Sequence, residues 1–186
     1  NALNGVFGAY VDSIPMLIIS GQVKTDTLVR NANLPSRQIG DQEVDIYNLV
    51  KPLVKYVTVI TNPLKIKEVL DKAFFLIING RPGPVWIDIP IDIQGKIIDT
   101  KELKGWSSKN ISKLHLDNDL TENTKLEVRN YPQKVYKKDL ILIEKMLKKS
   151  SSPVLLVGNG VRLSGMFEEL QKLAKILMIP VVTGWN

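Results

Sequence analysis

The chain has 186 residues, 44% of them apolar and none of them cysteine, which gives enough material for a folded core and excludes a disulfide framework or a thiolate metal site. Its net charge of +6 comes largely from lysines that are mixed with acidic residues and lack a stacking or helix-turn-helix motif, so we expect no nucleic acid among its partners. No apolar run reaches the roughly 18 residues of a membrane span and no signal peptide opens the chain, so we expect a cytoplasmic protein without a membrane partner.

The first half of the sequence alternates helical and strand patterns. Apolar residues at helical spacing from Leu3 to Tyr10 predict a helix that is already under way at residue 1 and that ends before Pro15. Short apolar or β-branched runs predict buried strands at Met16–Ile19, Tyr56–Ile60 and Val85–Ile89.

Two further helices are predicted between these strands. Asp41 is the predicted N-cap of the first, with Glu43 and Asp45 in its first turn, where the helix dipole favours negative charge. The second begins with Asn62 as its cap and a proline in its first turn, and Gly80 is placed to end it.

Periodicity disappears from Gly95 to about Pro132, a polar stretch too long for an ordinary loop within one compact domain. Beyond it, helical patterns alternate with strands at Val154–Val157 and Ile179–Val182. A strand, helix and strand in succession imply a right-handed crossover and parallel strands. The sequence therefore predicts an α/β fold with doubly wound parallel sheets in two domains, both incomplete, at residues 1–95 and 137–186, joined by a linker at 96–136.

A tight turn rich in proline precedes the strand at Val85–Ile89. Proline cannot donate a backbone hydrogen bond and fixes φ, so Pro82, Pro84 and Pro90 define the ends of this strand. Asp88 lies in its middle, where a buried carboxylate needs hydrogen-bond partners. We interpret Asp88 as a structural group in preference to a catalytic acid.

Short motifs follow one another along nearly the whole chain outside the predicted linker. They are Asn1-Ala2 to Asp12-Ser-Ile-Pro15, Ile19-Ser-Gly-Gln22, Gly40-Asp-Gln-Glu-Val-Asp45, Gly80-Arg-Pro-Gly-Pro84 with Asp88-Ile-Pro90, and Ser152 to Gly160 with Val181 to Asn186. This succession resembles the thiamine diphosphate-dependent enzymes of the acetolactate synthase family. The resemblance implies that residues 1–95 are the later part of a pyrimidine-binding domain with the thiamine diphosphate-binding fold, and that residues 137–186 open a Rossmann-like central domain.

The resemblance also implies an activity. Family members are carboligases or decarboxylases, that is transferases or lyases, in which thiamine diphosphate acts as an electron sink while a 2-keto acid loses carbon dioxide. They use Mg²⁺, some bind FAD, and their cofactor sites form between subunits of a homodimer or homotetramer. The family motifs that hold Mg²⁺ and the diphosphate, and the glutamate that activates the cofactor, do not occur in this sequence. We therefore expect the chain alone to be inactive.

By resemblance, Asn1 and Gln42 belong to the cofactor pocket. Asn1 ends a family turn near the pyrimidine ring, where its amide can hydrogen-bond without adding charge. Gln42 matches a glutamine that faces both cofactor and substrate, where a carboxamide can orient a keto acid, so it is the predicted catalytic residue. The alternative for Gln42 is an exposed residue in the first turn of a helix.

Nucleotide contacts are predicted for Arg81, Gly158-Asn159-Gly160 and Thr183. In relatives that bind FAD, the arginine at the position of Arg81 touches the flavin nucleotide, although the guanidinium could equally close an internal ion pair. The glycine turn lies between a strand and a helix, as phosphate-binding turns do, but Leu163 occupies the third glycine position of a dinucleotide fingerprint. Thr183, at the end of the next strand, would line the same crevice.

Two departures from the family pattern concern the substrate. Ile91 stands where acetolactate synthases usually carry a lysine at the substrate channel, and Tyr56 stands where the family often has a histidine. Loss of the lysine makes the channel more apolar, so the keto acid need not be pyruvate. Two other interpretations stay open, a nucleotide-binding (FAD or NAD) α/β domain of an oxidoreductase and a nonenzymatic α/β module that binds a partner protein.

Overall fold

The computed structural model describes residues 1–32, 34–107, 122–124 and 135–184, and of residues 122–124 it describes the backbone alone. The chain divides into two compact units, Asn1–Arg129 and Asn130–Asn186. The α-helices in the described ranges are α1 (Ala2–Asp12), α2 (Val29–Ala32), α3 (Ile46–Val50), α4 (Ile66–Ile78), α5 (Ile91–Gln94), α6 (Lys137–Lys149), α7 (Gly160–Leu163) and α8 (Phe167–Leu177). The strands there are β1 (Met16–Gln22), β2 (Tyr56–Val59), β3 (Pro84–Pro90), β4 (Glu122–Thr124), β5 (Leu155–Val157) and β6 (Val181–Thr183).

The first unit contains an open sheet with the strand order β1-β3-β2-β4. The first three strands are parallel, and β3 lies between β1 and β2, with Ser20 opposite Asp88. Strand β4 pairs with β2 in the antiparallel direction. The three strands predicted for the first half are therefore confirmed, whereas β4 was not predicted and lies in the stretch assigned as the linker.

Helices cover both faces of this sheet. Helix α4 packs on one face, where Tyr56 and Ile87 are fully buried. Helices α1 and α3 pack on the other face, where Val6, Val50 and Trp86 belong to one buried cluster. Successive strands connected over opposite faces give the layered arrangement of an α/β fold. The predicted fold class, α/β with open parallel sheets, is confirmed.

The ends of helix α4 follow the predicted signals. The side chain of Asn62 accepts a hydrogen bond from the backbone N–H of Leu64, and Pro63 opens the short 3₁₀ turn that leads into the helix. After the helix, Gly80 has a φ of 67°, a left-handed conformation that glycine adopts without steric cost. Sequence signals at both termini thus fix the helix that joins β2 to β3.

The helix predicted to start at Asp41 begins four residues later. Asp45 is the N-cap of α3, and its side chain accepts a hydrogen bond from the N–H of Asn48. Asp41 instead lies in a turn in which the N–H of Glu43 donates to the carbonyl of Gly40. The prediction of Asp41 as the cap is therefore wrong, because Asp45 directly precedes the apolar residues that face the core.

Residues beyond β3 contribute to the first unit as well. The ring of Trp106 lies 5.1 Å from the ring of Phe75, and its backbone N–H donates to Asp71 of α4. Residues 108–121 and 125–134 of the predicted linker lie outside the described residues. The assignment of residues 96–136 as a linker stays a prediction.

In the second unit, β5 and β6 form a parallel pair in which Val157 is opposite Thr183. The half-buried residues of α8, Leu170, Ala174 and Leu177, recur at helical spacing. The pairing of β5 with β6 confirms that the two predicted strands are parallel.

Among the helices of the described ranges, none is long and apolar enough to cross a membrane.

Candidate functional site

A cavity of about 240 Å³ lies at the carboxyl ends of β1, β2 and β3. The loop between β1 and α3 closes it, and its polar lining includes Gln22, Arg30, Glu43, Asp45 and Asp88. In open α/β sheets, ligands bind in the crevice beyond the carboxyl ends of the strands. This cavity, called the carboxyl-edge cavity below, is the candidate functional site.

The floor of the carboxyl-edge cavity is a network around Asp88, which is 0% exposed. Ser20 donates from Oγ to one carboxylate oxygen at 2.5 Å, and Gln22 donates from Nε2 to the other at 2.9 Å. The indole N–H of Trp86 donates to Ser20 Oγ at 2.7 Å. Burial raises the pKa of Asp88, although the hydrogen bonds from Ser20 and Gln22 oppose this effect. These contacts support the interpretation of Asp88 as a structural carboxylate.

Gln42 lies in the turn from Gly40 to Glu43 at the edge of the cavity. Its φ of 56° is left-handed, and it occupies the third position of the turn, where glycine or asparagine is usual. A residue with a Cβ pays about 1–2 kcal/mol for this conformation. The Gln42 side chain is exposed, and the next two residues, Glu43 and Val44, line the cavity. An exposed carboxamide is therefore displayed on a strained turn beside the cavity, and not in the first turn of a helix.

Glu43 holds the loop that carries Gln42. One carboxylate oxygen accepts the backbone N–H of Val29 at 2.8 Å, and the other accepts those of Ile39 and Gly40 at 3.1 and 3.2 Å. Partial burial works to raise the pKa of Glu43, but the three backbone hydrogen bonds together lower it below its ordinary value. Glu43 is thus a charged anchor at neutral pH, a role that the sequence-based assignment to a helix concealed.

Arg30 is a second cavity residue that sequence reasoning missed. Its guanidinium carbon lies 4.4 Å from the centre of the Tyr47 ring, a cation–π contact. The positive charge of Arg30 also favours the charged form of Asp88. Arg30 lies in the short helix α2, in a polar part of the sequence with no motif around it, so the sequence offered no signal for its position.

The structure separates two of the predicted site residues. Arg81 precedes β3, and its Nε donates to Ser13 Oγ at 2.6 Å, at the end of helix α1. Arg81 therefore lies at the amino edge of the sheet, opposite the edge that carries Gln42. Asn1 stands at the other end of α1, whose 11 residues span about 16 Å, so it lies toward the carboxyl edge. Asn1 is not among the residues that line the carboxyl-edge cavity, and Arg81 lies at the opposite edge of the sheet from Gln42.

Arg81 lines a separate cavity of about 280 Å³ at the amino edge. Lys55 lies in the same wall and donates to the carbonyls of Leu76 and Asn79 at the end of α4, the latter at 2.6 Å. Burial lowers the pKa of Lys55 to about 8. Two basic side chains beside one cavity favour an anionic group such as a phosphate.

An apolar cavity of about 290 Å³ also lies near the carboxyl ends of β2 and β3. Its walls include Ile60, Ile66, Ile89 and Ile93. Ile91, at the start of α5, is 57% exposed and is not among the residues that line this cavity. Its place at a substrate channel stays a prediction.

In the second unit, the pairing of β5 with β6 brings the predicted nucleotide residues together. Val157 is opposite Thr183, so the turn Gly158-Asn159-Gly160 and Thr183 lie at neighbouring strand ends. Helix α7 after this turn has only four residues, which gives a weak helix dipole. A Cβ added at Gly158 or Gly160 would meet nothing within 4 Å, so no described contact requires glycine there.

Comparison with known proteins gives two kinds of similarity. The family described as "Thiamine pyrophosphate enzyme, central domain" matches residues 142–186. The chain is 34% identical to the probable acetolactate synthase large subunit of Methanocaldococcus jannaschii, over 98% of the chain and 27% of that protein. It is also 34% identical to the acetolactate synthase large subunit of Buchnera aphidicola, over 99% of the chain and 28% of the relative.

A third relative extends the same pattern. The acetolactate synthase large subunit of Corynebacterium glutamicum is 34% identical over 98% of the chain and 25% of its own length. The chain therefore spans about a quarter of the length of the curated relatives it matches. Nearly the whole chain is therefore similar to part of the acetolactate synthase large subunit, and residues 142–186 match the central domain of thiamine pyrophosphate enzymes.

Proposed function

We propose that this chain contributes the pyrimidine side of a thiamine diphosphate site to a carboligase or decarboxylase that acts on 2-keto acids. In this proposal, residues 1–95 are the later part of the pyrimidine-binding domain and residues 137–186 begin the central domain. The observation that carries it is Gln42, an exposed carboxamide held in a left-handed turn beside the carboxyl-edge cavity. Backbone strain of this kind concentrates at functional sites.

The chemistry of the available groups fits an aminopyrimidine ring. Such a ring offers neutral donors and acceptors, and a carboxamide pairs with both kinds. In this proposal, Gln42 and Asn1 both supply carboxamides to the pyrimidine ring, Asn1 from the start of α1. Thiamine diphosphate, when bound, supplies the electron sink for loss of carbon dioxide from the keto acid. The role of Gln42 is to orient the keto acid without competing for a proton.

The ligands for Mg²⁺ and the diphosphate are proposed to come from polypeptide outside this chain. In the described part of the chain, no group of three or more His, Asp or Glu side chains is arranged to hold a metal ion. Glu43 and Asp88, two carboxylates that line the carboxyl-edge cavity, already accept hydrogen bonds from backbone and side-chain donors. We therefore expect the isolated chain to be inactive, and sustained product from the chain with pyruvate, thiamine diphosphate and Mg²⁺ would contradict this.

The isoleucine at position 91, where the resemblance leads us to expect a lysine, supports a keto acid with a larger apolar side chain than that of pyruvate. The isoleucine-lined cavity offers about 290 Å³ near the strand ends. An apolar pocket gains roughly 0.8 kcal/mol for each methylene group that it buries. In a protein that carries this chain over the full length of its relatives, 2-oxobutyrate should therefore have a higher kcat/KM than pyruvate.

The basic amino-edge cavity supports FAD as a further ligand of the full-length enzyme. Arg81 and Lys55 would pair with the phosphates of the nucleotide there. Visible flavin absorbance in the purified full-length protein, lost in Arg81→Ala, tests this role. A homodimer or homotetramer and a cytoplasmic location are proposed on the family resemblance alone.

The proposed role of Gln42 is tested by Gln42→Ala in the same full-length protein. Loss of a hydrogen bond worth about 1.4 kcal/mol in the transition state lowers kcat/KM about tenfold. Asp41→Ala, the neighbouring exposed residue, is the matched control and should leave kcat/KM unchanged. Equal kcat/KM in wild type and Gln42→Ala would refute the assignment.

A further inference from the structure

The incoming end of the turn that carries Gln42 is fixed by hydrogen bonds to Glu43. Glu43 uses both carboxylate oxygens, which accept the N–H groups of Val29, Ile39 and Gly40. Two of these N–H groups lie immediately before the Asp41-Gln42 pair, and the third belongs to the start of α2. One side chain therefore joins the turn to a separate segment of the loop.

The outgoing end of the turn is fixed by a hydrogen bond from Gln22. The side-chain amide nitrogen of Gln22 donates to the carbonyl of Val44 at 3.0 Å and to Asp88 at 2.9 Å. Asp88 is fully buried in β3, between two other strands. The outgoing end of the turn is thereby anchored to the centre of the sheet.

Packing restricts the turn from a third direction. A Cβ at Gly40 would lie only 2.7 to 2.9 Å from side-chain atoms of Val23, closer than real Cβ contacts. The backbone of Gly40 therefore packs directly against Val23, just beyond the end of β1. The turn has no room to shift toward that strand.

Between these anchors, Gln42 keeps an unfavourable left-handed φ of 56°. Such a conformation persists when the surrounding structure over-determines it. We propose that Glu43 is a positioning residue, whose carboxylate holds the Gly40–Glu43 turn and thereby sets the direction of the Gln42 amide. This inference rests on the proposed function, in which Gln42 faces the cofactor and the keto acid.

The first test measures the turn itself in the 186-residue chain. In Glu43→Gln, the NH₂ group cannot accept a hydrogen bond, so either Val29 or both Ile39 and Gly40 lose the acceptor of their backbone N–H. Amide hydrogen exchange should therefore accelerate about tenfold at Val29, or at Ile39 and Gly40, while Glu68→Gln on α4 should not alter it. Unchanged exchange at all three residues in Glu43→Gln would overturn the proposal.

The second test asks whether Glu43 acts through Gln42, by a double-mutant cycle on kcat/KM for 2-oxobutyrate in the full-length enzyme. Glu43→Gln should lower kcat/KM about tenfold when Gln42 is present and cause no further loss in the Gln42→Ala background. An equal loss in both backgrounds would indicate a general structural role and contradict positioning. If Glu43→Gln fails to fold, Glu43→Asp, which keeps the charge but is too short to reach all three N–H groups, should show the same dependence on Gln42.

The two tests separate failure of this inference from failure of the proposed function. If Gln42→Ala alone leaves kcat/KM unchanged, the catalytic role of Gln42 is wrong, and positioning of a catalytic amide by Glu43 falls with it. The exchange measurement still decides whether Glu43 holds the turn. If Gln42→Ala lowers kcat/KM but exchange is unchanged in Glu43→Gln, only the present inference fails.

Discussion

The two units of the chain differ in how far they bury their apolar side chains. In Asn1–Arg129, strand β3 is paired on both edges and covered on both faces, and Ile87 is 0% exposed. In the described residues of Asn130–Asn186, no apolar side chain is fully buried, and Leu156 of β5 is 75% exposed. The first unit is therefore organised by its core, whereas the second depends on local helix patterns and one pair of strands.

This difference bears on where each unit can hold a site. A side chain keeps a precise orientation when packing and hydrogen bonds around it are already satisfied. Gln42 has such support through Glu43, Gln22 and Asp88. Gly158 and Thr183 lie at the end of a two-stranded sheet, which is marginal by itself. Within the described residues, the first unit is thus the better candidate for a preorganised site.

The largest expected effect is on the core of the first unit. Ile87→Ala should lower the free energy of unfolding by about 3–4 kcal/mol, because it removes buried methyl groups and leaves a cavity. Ile78→Ala, the same change at a residue of α4 that is 65% exposed, and Leu156→Ala in the second unit should each cost less than about 0.5 kcal/mol. Urea unfolding followed by tryptophan fluorescence measures all three, and equal losses would remove the contrast between the units.

The second largest loss of stability is expected when the buried carboxylate of Asp88 is removed. Asp88→Ala leaves the donors of Ser20 and Gln22 without their acceptor, which should cost about 2–3 kcal/mol. Asp26→Ala, at an exposed position in a 3₁₀ turn, serves as the control and should change stability little. If both variants unfold at the same urea concentration, the network does not anchor the sheet as described.

The carboxylates of Glu43 and Asp88 should make the stability of the first unit depend on pH in opposite directions. Hydrogen bonding lowers the pKa of Glu43 below 4.5, so its contribution to stability is complete above about pH 4.5 and is lost as pH falls through the lower folded value. Burial raises the pKa of Asp88 above 3.8, so stability declines as pH rises from 3.8 through the raised folded value.

Chemical denaturation between acid and neutral pH measures this difference. Glu43→Gln should reduce the loss of stability at acid pH. Asp88→Asn should reduce the loss of stability that accompanies ionisation of Asp88 as pH rises. If Glu43→Gln leaves the acid side of the stability profile unchanged, the carboxylate is not charged and bound as the structure has it.

A small stabilising effect is expected at Gln42. Gln42→Gly relieves the left-handed strain, which stabilises the folded state. Glycine also gives the unfolded chain more backbone freedom, which opposes this gain, so the free energy of unfolding should rise by no more than about 1 kcal/mol. Asp41→Gly, at the preceding residue with a φ outside the left-handed region, gains no such relief and should be neutral or destabilising. Stabilisation of both variants to the same extent would mean that Gln42 carries no strain.

Much of the fold could be predicted from local sequence patterns. The apolar runs at Met16 and Tyr56 correspond to β1 and β2, because parallel strands are buried on both faces. Asn62 and Gly80 mark the ends of the segment containing α4, since each satisfies a requirement of the helix terminus. The pairing of β4 with β2 lacked a local signal, because it depends on contacts between residues far apart in the chain.

The candidate site was only partly predictable. Gln42 was identified from a motif, but its left-handed turn depends on hydrogen bonds that Glu43 makes with Val29, 14 residues away. Asp41 and Asp45 are equally good caps by residue type, and only the packing of the following apolar residues selects Asp45. The separation of Arg81 from Gln42 follows from strand direction, which a list of motifs does not reveal.

The most direct measurement uses a protein that carries this chain over the full length of its relatives, and compares kcat/KM for 2-keto acids and the melting temperature between wild type and Gln42→Ala. A site at the carboxyl edge predicts a loss of kcat/KM of about tenfold or more with an unchanged melting temperature, and full activity in Asp41→Ala. Wild-type kcat/KM in Gln42→Ala, for pyruvate and 2-oxobutyrate alike, would contradict a role for this turn in catalysis.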